Sequence, residues 1–150
     1  MKKCFIAVFV GVLVAVCGGC TQNNGHIGPV FGSWSLTEIS VDGAPLELQG
    51  ETVFSFQNEV VRVIQMTSGQ TVETVRYGNF SLSDDVMSLR FITELNSNGE
   101  GYQFLMPSWL YFPQGTMPLV FEVRTLSGSR MELALDNDGK TYTYGFSKTW

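Results

Sequence analysis

The chain has 150 residues, 44% hydrophobic and 13% aromatic, with nine basic against fourteen acidic side chains and a formal charge of −5. It has no basic run and no cationic amphipathic stretch, which argues against nucleic acid or anionic lipid head groups as partners. One histidine, His26, and three cysteines, Cys4, Cys17 and Cys20, leave little material for a nucleophilic triad or a zinc site.

The first segment, MKKCFIAVFVGVLVAVCGGC, has the three parts of a secretory signal: Lys2-Lys3, an apolar run from Phe5 to Val16, and small residues at Gly18-Gly19. At about 1.5 Å per residue, a run of about a dozen residues falls short of a hydrocarbon core of roughly 30 Å, so a retained transmembrane anchor is the weaker reading. The small-small-Cys ending resembles the lipobox of bacterial lipoproteins, although Cys17 stands where that motif usually has Leu. The resemblance implies cleavage of a signal peptide, residues 1–19, and a diacylglyceryl thioether on Cys20. Cys17 is the poorer acceptor because Val16 is too large for the position before it. Cleavage would remove Cys4 and Cys17 and occupy Cys20, leaving a domain without disulfide or free thiol. It would also remove Lys2 and Lys3, leaving seven basic against fourteen acidic groups. The expected address is the bacterial cell envelope, as an outer-membrane lipoprotein facing the periplasm or the cell surface. The lipid would be its membrane contact, with more than one acyl chain needed for stable attachment. Residues 20–30, polar and aperiodic after the cysteine, read as a tether.

From residue 31 to 150 the chain reads as one domain, and no useful helical period appears. The first strand is expected at 33–41. The second and third, 52–57 and 60–67, flank a turn at Asn58-Glu59. A fourth runs from 70 to 82 with a bend at Gly78, and a fifth from 86 to 93 follows Ser83-Asp84-Asp85. After a long insertion come strands at 119–126, 130–136 and 140–148, joined by Ser127-Gly128-Ser129 and Asn137-Asp138-Gly139.

Eight strands joined mostly by hairpins predict an all-β, antiparallel up-and-down barrel, whose closure removes both bare sheet edges. A β-sandwich is the competing reading. Only residues 42–51 and 94–118 form long connections, which favours the barrel. Phe31-Gly32-Ser33-Trp34-Ser35-Leu36 resembles the G-x-W signature that opens the first strand of lipocalins. Residues 77–79, 107–113 and 138–142 extend a likeness to lipocalin-like domains of small Gram-negative lipoproteins. The resemblance implies that Trp34 seals one barrel end beneath a basic side chain, for which Lys148 and Arg130 are candidates. The chain departs from the family in being short and in lacking its C-terminal helix and disulfides.

Catalytic chemistry finds no support: His26 lies in the tether, and the carboxylates at Asp84-Asp85 and Asp136-Asn137-Asp138 are explained by turn formation without a metal. No cofactor is implied. Strand alternation directs Arg90 and Arg124 outward, whereas Arg62 and Arg76 share faces with apolar residues. Either can face inward to clamp a ligand carboxylate. Exposure, or an ion pair with Glu38 or Glu73, is the competing account. The insertion turns apolar from Tyr102 through Trp109 and Phe112, and Pro107, Pro113 and Pro118 exclude a long helix. Lid, interface and barrel plug are all open readings of it.

The combined expectation is a non-enzymatic, membrane-tethered lipocalin-like barrel that holds a small apolar or amphipathic ligand, lined or gated by Trp34, Arg62, Arg76, Trp109 and Phe112. The alternative is a filled barrel that docks an envelope protein through residues 102–113. In a Gram-negative host, metabolic labelling with a clickable palmitate analogue should mark the full-length chain. Cys20→Ser should abolish the label and Cys17→Ser should retain it; the reverse pattern would relocate the lipid.

Overall fold

The computed structural model of the protein describes residues 28–66, 73–91 (backbone only at 73–74), 110–113 and 118–150. The expected strand ends at Thr67, 70–72 and 92–93 lie outside these residues. So do Cys20, the tether as far as Ile27, and Trp109.

The described chain forms nine strands: β1 (Gly32–Val41), β2 (Ala44–Leu46), β3 (Glu51–Gln57), β4 (Val60–Met66), β5 (Glu73–Ser83), β6 (Val86–Phe91), β7 (Leu119–Leu126), β8 (Arg130–Asn137) and β9 (Lys140–Lys148). Every pairing is antiparallel. β1 and β3 to β9 follow one another around the sheet, and β9 pairs back onto β1. The result is an eight-stranded closed barrel, and the sandwich reading is set aside by the β1–β9 ladder. β2 is an extra, short strand that the sequence reading left inside a connection. It folds back on the upper half of β1 through Asp42-Gly43, both at positive φ (49° and 83°), while the lower half of β1 pairs with β3. Asp-Gly favours this hairpin turn. Pro45 is tolerated because β2 lies at an edge.

Closure depends on a change of phase within β1. Trp34 and Leu36 face the core, and the inward series resumes at Ile39 because the register with β9 shifts between Leu36 and Glu38. A bulge of this kind adds one residue and increases local twist. The Thr37 hydroxyl donates to the Gly145 carbonyl at 3.0 Å beside the shift. A second shift, between Val123 and Thr125 of β7, leaves Arg124 exposed. Hairpin turns begin at Asn58, Asp84 and Asp138, each at positive φ (54°, 53° and 53°), a region that Asn and Asp enter more readily than other side chains.

The barrel has a lower end, where β1 begins and β9 finishes, and an upper end, where β3 begins. In the lower half Phe54 meets Phe146 edge-on at 5.2 Å, and Phe56 meets Phe80 at 5.0 Å, building an aromatic interior. Val30, which is 4% exposed, packs into the core at this end. At the other terminus, Ser33 N–H donates to the Trp150 carbonyl at 2.8 Å. β9 closes the sheet onto β1 and Trp150 is bonded to Ser33 at the bottom, so the closed ladder is built within residues 32–148.

Gly78 allows β5 and β6 to approach closely. A Cβ there would lie 2.5 Å from the Arg90 carbonyl oxygen and 2.9 Å from Phe91 Cα. Gly78→Ala should therefore lower stability by about 1–3 kcal/mol through overpacking, measured by urea denaturation. An unchanged midpoint would show that β6 can withdraw without loss.

Candidate interior binding site

The lower end is sealed. Trp34 is fully buried, its indole N–H donates to the Val30 carbonyl at 2.8 Å, and Lys148 Nζ lies 5.1 Å from the ring centroid. Lys148 is the direct cross-strand partner of Trp34, and this register places the cation over the ring. Of the two basic candidates, Lys148 takes this place; Arg130 instead lies 3.7 Å from Glu132. Trp34 is thus a seal at the bottom of the core.

The upper half is capped from within by part of the insertion. Leu110 and Phe112 are buried, and the Phe112 ring packs against Phe121 (5.6 Å) and Tyr144 (5.2 Å). Phe112 is thus placed as the plug reading expects, Trp109 lies outside the described residues, and two apolar side chains that a docking loop would present, Leu110 and Phe112, are turned inward. The Tyr144 hydroxyl donates to the Leu110 carbonyl at 2.7 Å, and the Asn137 amide donates to the Tyr111 carbonyl at 3.2 Å. Tyr111 bridges the two bonds at φ 58°, an uncommon conformation for an aromatic residue, with its ring stacked on Tyr142 at 5.3 Å. Burial pushes the Tyr144 phenol well above its ordinary range, and the phenols of Tyr142 and Tyr111 add to the rise. A neutral phenol is the form that donates to Leu110.

Across the barrel, the β3–β4–β5 wall is different in character. On β3 the interior face carries Thr52, Phe54 and Phe56; on β4 it carries Val61, Val63 and Gln65. Thr52 and Gln65 are direct cross-strand partners near the upper end, and are 1% and 5% exposed. The Thr52 hydroxyl and both polar atoms of the Gln65 amide have no hydrogen-bond partner among the described residues. Leaving such groups unpaired away from water costs about 1–3 kcal/mol each, so native interiors rarely keep them without a use.

The two candidate arginines separate. Arg62 is exposed, opposite Ser55 on the outer wall with Val60, Ile64 and Met66, and is not an interior residue. The strand is apolar on both faces, and the alternation that enters the core is the one carrying Val61 and Val63. Arg76 pairs with Val63 and so occupies an interior register position, half-buried, with Nη1 donating to the Val75 carbonyl at 3.1 Å. Arg90 and Arg124 are exposed, as alternation predicts. The sequence reading missed Thr52 and Gln65. Thr52 shares the face of Phe54 and Phe56, and the two-residue turn at Asn58-Glu59 sets Gln65 opposite it, so both were within reach of register counting.

No family model and no curated protein matches this sequence. Solved structures do resemble it. A lipocalin-like protein from Bacteroides uniformis is 22% identical with a TM-score of 0.57, covering 81% of this chain and 99% of its own. An uncharacterized protein from Bacteroides eggerthii is 22% identical with a TM-score of 0.58, covering 79% and 98%. The likeness is one of fold: an all-β, lipocalin-like closed barrel.

Tyr144 generates a test of the cap. The folded state holds the phenolic proton to higher pH than the unfolded chain, whose ordinary value is 10.0. Its contribution is intact below that pH and declines as pH rises beyond it. Tyr144→Phe should cost about 1–3 kcal/mol at pH 7 by unpairing the Leu110 carbonyl, and should flatten part of the alkaline loss. Urea unfolding at neutral and alkaline pH measures both effects; identical profiles for parent and variant would remove Tyr144 from this role.

Proposed function

We propose that the protein is a lipocalin-like binding module of the bacterial cell envelope, anchored to the outer membrane through a lipid on Cys20. Its barrel holds a small amphipathic molecule and does no covalent chemistry. The observation that carries this reading is the pair of buried polar side chains, Thr52 and Gln65, that have no hydrogen-bond partner among the described residues, on an interior wall that is mostly apolar. A barrel that served only as a folded block would gain stability from apolar residues at both positions. Binding pockets commonly combine apolar lining with a few placed polar groups, and eight-stranded barrels are wide enough for one small ligand.

A filled barrel that docks an envelope partner is the second reading. The lower aromatic interior and the inward Leu110 and Phe112 favour its filled interior, though not docking through those two side chains. Native mass spectrometry of the barrel from Thr21 onward separates the two. The binding module should retain or take up one small molecule at 1:1 stoichiometry. A mass equal to the bare chain after incubation with an envelope lipid extract, together with a crystal structure showing only packed side chains, would leave the second reading standing.

A further inference from the structure

We infer that the ligand's polar group is uncharged and carries both a hydrogen-bond donor and an acceptor, as a carboxamide or a hydroxyl does. This deepens the reading of the barrel as a binding module and rests on it. Among the described residues, three functions at the site lack a partner: a hydroxyl at Thr52, an amide NH₂ at Gln65 and an amide carbonyl at Gln65. A carboxylate offers acceptors alone. It would satisfy the Thr52 hydroxyl and the Gln65 Nε2 but set its charge against Gln65 Oε1, leaving that acceptor buried and unpaired. An ester or a ketone fails in the same place. A group with a donor beside an acceptor answers all three.

Arg76 does not reverse this. It lies diagonally across the ladder from Gln65, because Gln65 pairs with Thr74 and Val63 pairs with Arg76. Its Nη1 donates to the Val75 carbonyl, and its side chain is only half-buried, where water weakens its pull on an anion. The groups with an unmet need are the neutral ones. Below them the apolar wall continues through Phe54 and Val63, with Phe91 buried on β6, so the remainder of the molecule is hydrocarbon. The aromatic interior below and the Phe112 side of the core limit its length. The ligand so inferred is a short amphiphile with its neutral head between Thr52 and Gln65.

Isothermal titration of the soluble barrel from Thr21 onward with octanamide, octanoate and methyl octanoate tests the assignment, using Gln65→Leu and Thr52→Val alongside the parent. Octanamide should bind the parent about tenfold or more tightly than either other probe, the scale expected when a buried polar group is left unpaired. Both variants should lose that preference while unfolding at the same or higher urea concentration than the parent. Thr52→Val conserves shape, so it keeps the test open if Gln65→Leu fails to fold. Equal binding of the three probes, or a preference that survives both substitutions, would overturn the neutral-head assignment and leave the binding module intact. Preference for octanoate would do the same and move the head group to Arg76. Failure of every probe to bind the folded parent would overturn the assignment and the binding reading together.

Discussion

Closure of the sheet through β1 is the constraint on which the rest of the structure depends. This strand meets β9 along its length, β3 with its lower half and β2 with its upper half, so an error in its register would propagate to three neighbours. The shift at Thr37 lets one strand serve both inward series, Trp34-Leu36 below and Ile39 above. Because side chains alternate with period two, removing the bulge would send either the tryptophan or the isoleucine to the outside. Trp34 then anchors the bottom through Val30 and Lys148, and the hairpins follow with apolar residues on a common face.

Within that closed wall the interior is divided. One side, β7 to β9 with the inserted Leu110 and Phe112, is aromatic, and the Tyr144 hydroxyl and Asn137 amide nitrogen there have partners. The other side, β3 to β5, retains polar atoms that have none among the described residues. The burial of Leu110 and Phe112 accounts for two residues of the apolar stretch that makes the insertion conspicuous.

Much of the fold was legible because its signals are local. Asn58-Glu59 and Asp138-Gly139 mark two-residue turns, and the strands between them alternate. β4 defeats simple alternation because Val60, Ile64 and Met66 rival Val61 and Val63 as an apolar face; only register with Phe54 and Phe56 chooses between them. Arg62 was therefore kept as an interior candidate when it faces water. β2 escaped because Pro45 argues against a strand except at an edge, and edges are properties of the assembled sheet. The seal by Lys148 rather than Arg130 followed from cross-strand register. The cap was less accessible, since the insertion has no period, and Tyr144 could be matched to Leu110 only after the barrel had closed.

Val30 and Trp150 meet the barrel at its lower end, beside Trp34, whereas Thr52 and Gln65 lie towards the other end. The molecule therefore has a head and a foot. The described chain enters at the foot, and the polar pair lies on the far side of an aromatic floor. The point of chain entry thus gives the barrel a facing direction that closure alone, which treats both rims alike, does not supply.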